Sequence, residues 1–211
     1  MDSVERSARI PLFPLDVVLL PDMPLPLHIF EPRYKLMIRR CLDEKLEFGM
    51  ILAASQGMAT VGCTAEIVQK IRDYSDGRMD ILVEGRAIFR IEELLDEKEY
   101  YEGRVAYASD GPQLRDAEKE TKLLAAFAEC HLLLAGRPWS GASEHELPIL
   151  AYHLAAQLPV ELEIRQALLE SRSEGERRDL LLRWIGDFLP KLKERERAQQ
   201  TASGNGRARL H

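Results

Sequence analysis

Apolar residues in this chain recur at every second position before residue 112 and at every third or fourth position after it, so strands and helices are segregated along one polypeptide. Thr64 to Tyr74 alternates, with Ala65, Ile67 and Ile71 on one side and Glu66, Lys70 and Arg72 on the other. Asp76-Gly77 follows, a dipeptide whose positive φ values suit a tight turn between twisted strands. Met79 to Ile91 reads as the returning strand, with a bulge or bend at Gly85, and Tyr100 to Ala108 as one more. Ile10 to Leu20 is apolar but broken by Pro11 and Pro14, which belong at strand starts or on an edge. Pro21, Pro24 and Pro26 stiffen the connection that follows. One early helix interrupts the strands. Glu31-Pro32 opens it, and Tyr34, Met37, Ile38, Cys41 and Leu42 share one face. Phe48 to Ala54 then returns to a strand. Antiparallel strands with one early helix predict a small, partly closed barrel or pseudo-barrel.

Asp110-Gly-Pro112 marks the boundary. Beyond it, Thr121, Leu124, Ala125, Ala128 and Leu132 make one helical stripe, and Leu123, Phe127, Cys130 and Leu134 make another. A helix apolar on two sides belongs inside a bundle. Ser143 with Glu146, and Ser173 with Glu176, match capping boxes. Leu181, Trp184, Ile185, Phe188 and Leu189 give the last buried face, and after Pro190 the apolar pattern stops. The expected architecture is therefore α+β. Residues 9–112 form a β-rich subdomain, 113–190 a helical bundle, and 191–211 a disordered tail with almost nothing to bury.

Composition narrows the function. A formal net charge of -6 weighs against non-specific nucleic-acid binding. Cys41, Cys63 and Cys130 are odd in number and unpaired in spacing, which argues against a disulfide framework or a zinc knuckle. The first nine residues carry no signal-peptide pattern, and no stretch approaches a membrane span of about 18 apolar residues. The chain reads as cytoplasmic.

The most specific local pattern is Leu25-Pro-Leu-His-Ile-Phe-Glu-Pro-Arg-Tyr34, preceded by Ile10-Pro-Leu-Phe-Pro-Leu15. It resembles the opening of the amino-terminal domain of Lon-type ATP-dependent proteases. Val61-Gly-Cys-Thr-Ala-Glu-Ile-Val68 and Ile81-Leu-Val-Glu-Gly85 resemble that family's next landmarks, in order and spacing. The helical half is similar more loosely, and the whole likeness spans residues 9–190. The resemblance implies a PUA-like pseudo-barrel packed against a helical subdomain. It further implies the binding of unfolded or tagged polypeptides, self-association, and a protease or chaperone as partner. Full-length proteases of this kind continue into a coiled coil, an ATPase and a serine–lysine peptidase, so this chain is expected to be a stand-alone, non-catalytic form.

No residue constellation competes strongly with that expectation. Gly57 to Thr64 has the glycine and threonine spacing of a phosphate loop, but Cys63 stands where the loop needs lysine and a strand follows where it needs a helix. His145 and His153 are two helical turns, about 12 Å, apart, too far for one zinc ion. His28 and His131 read as packed or hydrogen-bonded side chains. No G-x-S-x-G occurs. Neither catalytic residues, nor a metal, nor a cofactor is expected. A hydrolase with an unrecognised site is one alternative. An RNA-binding PUA-like module is the other, its basic face formed by Arg33, Arg39 and Arg40.

Recognition of an extended polypeptide would use an adaptable surface, placed at the junction of the two halves. Met23 in the proline-braced segment, Met58 in a glycine-containing loop and Trp139 between two helices are the candidates. Each could instead pack inward as core. Phe30, Pro32 and Tyr34 should fix the strand-to-helix junction, with Glu31 and Arg33 in the same structural motif, and Gly62 and Gly85 should permit close backbone approach.

Overall fold

The computed structural model describes residues 7–54, 57–108, 116–141 and 149–207, with side chains as far as Gln199. These residues divide into two compact units, one holding the chain up to Gly111 together with Pro159–Arg172, the other holding Pro112–Leu158 and the chain from Ser173.

The first unit contains β1 (Ser7–Leu15), β2 (Pro24–Ile29), α1 (Pro32–Glu44), β3 (Phe48–Ala54), β4 (Gly57–Asp73), β5 (Met79–Leu95), β6 (Glu102–Tyr107) and the short helix α4 (Leu162–Glu170). The strands form one sheet in the order β2-β5-β4-β3-β1-β6, with an additional pairing of β5 to β6. The expectation of a PUA-like pseudo-barrel is corrected here. Among the described residues the sheet ends in a free edge at β2, which pairs only with β5, whereas a closed barrel leaves no edge.

Proline placement follows from the pairing. Residues 7–11 of β1 pair with β6, and residues 12–15 pair with β3, so each half has an unpaired side on which a nitrogen without hydrogen costs nothing. β2 tolerates Pro24 and Pro26 because it is an edge.

The long β4–β5 hairpin turns at Gly77, whose φ of 80° needs no side chain, and the Gly77 amide donates to the Tyr74 carbonyl at 2.9 Å. Three register shifts interrupt this ladder. One follows Gly85: Cys63 pairs with Ile88 but Ala65 with Gly85, and the buried Thr64 hydroxyl accepts the Ala87 amide at 3.0 Å. The shifts beyond Ile67 and Lys70 break the alternation expected for β4, so Ile71 is 52% exposed instead of buried. Gly85 also exchanges backbone hydrogen bonds with Asp22 and Met23, and a side chain there would strike the Leu20 carbonyl. At Gly62 the obstacle is the Met50 carbonyl.

α1 begins on Pro32 and ends at Lys45 in a left-handed conformation, burying Tyr34, Met37, Ile38 and Cys41. A buried carboxylate ties this helix to the sheet. Glu102, 2% exposed, accepts from Arg9 and Arg40 at 2.6 Å and from Lys98 at 2.9 Å. Burial alone would raise its pKa, but the three cations hold it down at about 2. α4 belongs with the strands. Gln166 donates to the Val61 carbonyl at 3.1 Å, and Leu168 and Leu169 are buried.

The second unit contains α2 (Ala117–Ala135), α3 (Leu150–Ala156) and α5 (Glu174–Arg207). Asp116 caps α2 by accepting the Lys119 amide, and Gly136 ends it with φ of 67°. α2 buries Leu123, Phe127 and Cys130 of one expected stripe and leaves only its last member, Leu134, exposed, whereas in the other stripe Thr121, Ala125 and Leu132 are exposed and Leu124 and Ala128 half-buried. Ser173 accepts the Glu176 amide at 3.3 Å, which starts α5. The Ser143–Glu146 pair lies outside the described residues. Glu174, buried, accepts from the Ala151 amide and from Arg177 and Arg178, while Arg177 lies over the Tyr152 ring at 4.7 Å.

Helix α5 passes through Pro190 and runs to Arg207, where a disordered tail is expected from residue 191. For residues 191–199 the reason is local: the stretch holds only Lys, Leu, Glu, Arg, Ala and Gln, strong helix formers even without an apolar stripe, and Lys193 pairs with Glu129 of α2 at 2.6 Å.

Candidate functional site

The alternation of β2 decides what its end presents. Ile29 is buried, and Pro24, Pro26 and His28 are exposed. Phe30 shares their parity, and it is 59% exposed as the chain leaves the strand. Its ring lies nearly parallel to that of His28, with centroids 6.0 Å apart. Beneath them is a recess of about 80 Å³ bordered by Phe13, Leu15, Leu27, Ile29 and Tyr34. At about 30 Å³ per water it has room for two or three waters or one small aliphatic side chain. The Phe13 and Tyr34 rings, 4.2 Å between centroids, join it to the core.

Charged groups frame the recess. Glu31 accepts from Arg33 at 3.0 Å, and the Arg33 guanidinium lies 4.6 Å over the Tyr34 ring. His28 Nδ1 lies 2.5 Å from Asp80 Oδ1, and the Tyr74 hydroxyl donates to Asp80 Oδ2 at 2.8 Å. Those bonds, from His28 first and Tyr74 second, hold the Asp80 carboxyl below its ordinary range. An apolar hollow with an exposed aromatic lip and a few fixed polar groups can hold an apolar side chain of another molecule.

The three side chains expected to bind polypeptide differ in burial. Met23 is 8% exposed, with the Arg165 guanidinium against its sulfur at 3.4 Å, so it is a core residue and offers no surface. Met58 is 38% exposed at the turn between β3 and β4, opposite Ala53. Trp139 belongs to the second unit, half-buried and edge-on to Phe127 at 4.9 Å. Of the motif residues, Pro32 sits in the first turn of α1 and Tyr34 is buried beneath the recess. Glu31 stands at the cap position without a side-chain cap bond, its carboxylate turned to Arg33. Phe30, expected to brace the junction, faces solvent; the shared parity with two prolines was the signal for it.

The stretch from Gly57 to Thr64 is part of strand β4. Cys63 is buried and its thiol is pushed up to about 12 by burial, the reverse of an activated nucleophile. Among the described residues, no three His, Cys, Asp or Glu side chains converge on a possible metal position. On the basic face of α1, Arg33 pairs with Glu31, and Arg40 with Glu44 and Glu102. A larger cleft of about 610 Å³ lies between α1 and the β4–β5 turn, but its Lys70 and Asp73 neutralise each other at 2.7 Å. No helix among the described residues is long and apolar enough to cross a membrane.

Comparison with known proteins covers most of the chain. Residues 9–187 match the family described as the ATP-dependent protease La (LON) substrate-binding domain. The Lon protease of Escherichia coli strain K12 is 28% identical over 92% of this chain and 27% of its own length. That of Erwinia amylovora is 28% identical over the same shares, so the chain spans 27% of the length of these relatives. The solved Lon N-terminal domain protein from Xanthomonas campestris has a TM-score of 0.67 at 26% identity, covering 84% of this chain and 98% of that one. The N-terminal domain of Mycobacterium avium complex Lon protease, at 15% identity, shares the fold with a TM-score of 0.61, covering 85% and 99%.

Proposed function

Because the chain belongs to the Lon substrate-binding domain family, a family of binding modules and not of catalysts, we propose that it captures extended polypeptide through an apolar side chain seated in the Phe30 recess. The observation that carries this reading is the large exposed ring of Phe30, stacked on His28 at the rim of the hollow. Covering an aromatic ring of that size contributes roughly 1.5–3 kcal/mol, enough to hold a client reversibly and too little to trap it.

Strand addition is the other way to hold an extended chain, and β2 is poorly suited to it. Pro24 and Pro26 turn donorless nitrogens toward the unpaired edge, so an added strand would lose hydrogen bonds there. Side-chain capture is the mode that remains at this end of the sheet. A protease or chaperone is the natural recipient of a client held in this way.

The test is Phe30→Ala, assayed by fluorescence anisotropy with labelled β-casein as an extended probe. Binding should weaken about tenfold, as for a central aromatic contact, with the melting temperature unchanged. An unaltered Kd would place recognition elsewhere on the molecule.

A further inference from the structure

Three neighbours hold the His28 ring. Its side chain is 44% exposed, yet Asp80 fixes Nδ1, the Phe30 ring stacks on one face, and Tyr74 meets the imidazole edge-on at 5.7 Å between centroids. Asp80 is in turn held by the Tyr74 hydroxyl. Ordering an exposed ring costs conformational entropy, and an exposed pair of this kind returns little stability. The arrangement also fixes chemistry. With Asp80 accepting, Nδ1 carries the hydrogen, and the neutral ring offers Nε2 as a bare acceptor. Among the described residues Nε2 has no hydrogen-bond partner, and His28 itself lines the recess.

We propose that His28 is a specificity-determining residue of the recess, whose Nε2 accepts a backbone N–H of the bound polypeptide next to the seated apolar side chain. This rests on the reading of the recess given above. It deepens that reading, because an apolar hollow alone would hold a side chain in either chain direction. One fixed acceptor at its rim selects the direction that brings an amide to it. Asp80 is a positioning residue in this scheme, acting through the tautomer it imposes.

The probe is a capped decapeptide with one central leucine in glycine–serine flanks. It is made unmethylated and with a single N-methyl group at each of the three amides around the leucine. Kd is measured at pH 8 by NMR titration against the wild type and three variants. For the wild type, one methylated peptide should bind about five- to tenfold more weakly than the parent, the loss of one net hydrogen bond. His28→Phe keeps a ring against Phe30 but has no acceptor. It should bind the parent peptide as weakly as the wild type binds that methylated one, and show no further loss on methylation. Asp80→Asn, which no longer dictates the tautomer, should fall between. If no methylated peptide is penalised by the wild type, or the penalty survives in His28→Phe, the role of His28 is overturned while the recess stands. If Phe30→Ala binds the parent peptide as well as the wild type does, the recess reading fails and this proposal with it.

Discussion

Two carboxylates of the strand-rich unit each gather more than one donor, three at Glu102 and two at Asp80, and they do opposite things. Glu102 lies almost wholly out of solvent at the meeting of β1, β6 and α1, with Arg9, Arg40 and Lys98 directed onto it. Asp80 lies near the start of β5, with His28 and Tyr74 directed onto it in reach of water. In the first region the ordering of polar groups holds backbone elements together, because a buried charge must be matched or the fold gives way. In the second, solvent would satisfy every group equally well, so the ordering presents a surface. Exposure separates the structural network from the recognising one; the number of hydrogen bonds does not.

The largest expected effect tests the first half of that contrast. Glu102→Gln should lower the unfolding free energy by about 3–5 kcal/mol in urea denaturation, because three cations lose their buried counter-charge. Its pH dependence has a fixed sign. The folded-state value lies below the ordinary 4.5, so the stabilisation is complete above that pH and is lost as the pH falls toward about 2. The gap between wild type and variant should therefore close across that window, and a gap that stays constant would show that Glu102 is not the titrating group.

A smaller effect comes from the two methionines. Met23→Ala should cost about 2–5 kcal/mol, as for a core truncation, and Met58→Ala less than about 0.5 kcal/mol. Equal melting temperatures for the two would contradict the burial that distinguishes them. The smallest effect is the most telling for the second region. Asp80→Asn should leave the melting curve where it is while weakening binding of the leucine peptide, and a drop in stability comparable to that of Glu102→Gln would erase the contrast.

Much of this was legible in the residues themselves. The Asp76-Gly77 turn, the buried face of α1 and the cap at Ser173 follow from local chemistry, which is strong where one or two residues decide a backbone angle. The register shifts beyond Ile67 and Lys70 were not legible, because a bulge depends on the partner strand and not on the bulged one. Hence Ile71, apolar and correctly alternating, ends outside. Glu102 looked like one more acid beside a charged connection, since two of its three cations come from positions far away in the chain. The placement of α4 with the strands was hidden for the same reason: Gln166 meets Val61 only through folding. The recess was half legible. The motif that encloses it was visible, and so was the parity that turns Phe30 outward, but proline and aromatic residues side by side read first as a brace.

Among the described residues, β2 is fastened to the rest of its sheet along one side only, by six residue pairs with β5. No other described strand of this sheet has so few pairs, so local opening should begin there. Amide hydrogens of Leu25, Leu27 and Ile29 should exchange sooner than those of the long β4–β5 hairpin, so hydrogen exchange would report on the mouth of the recess before it reports on the core.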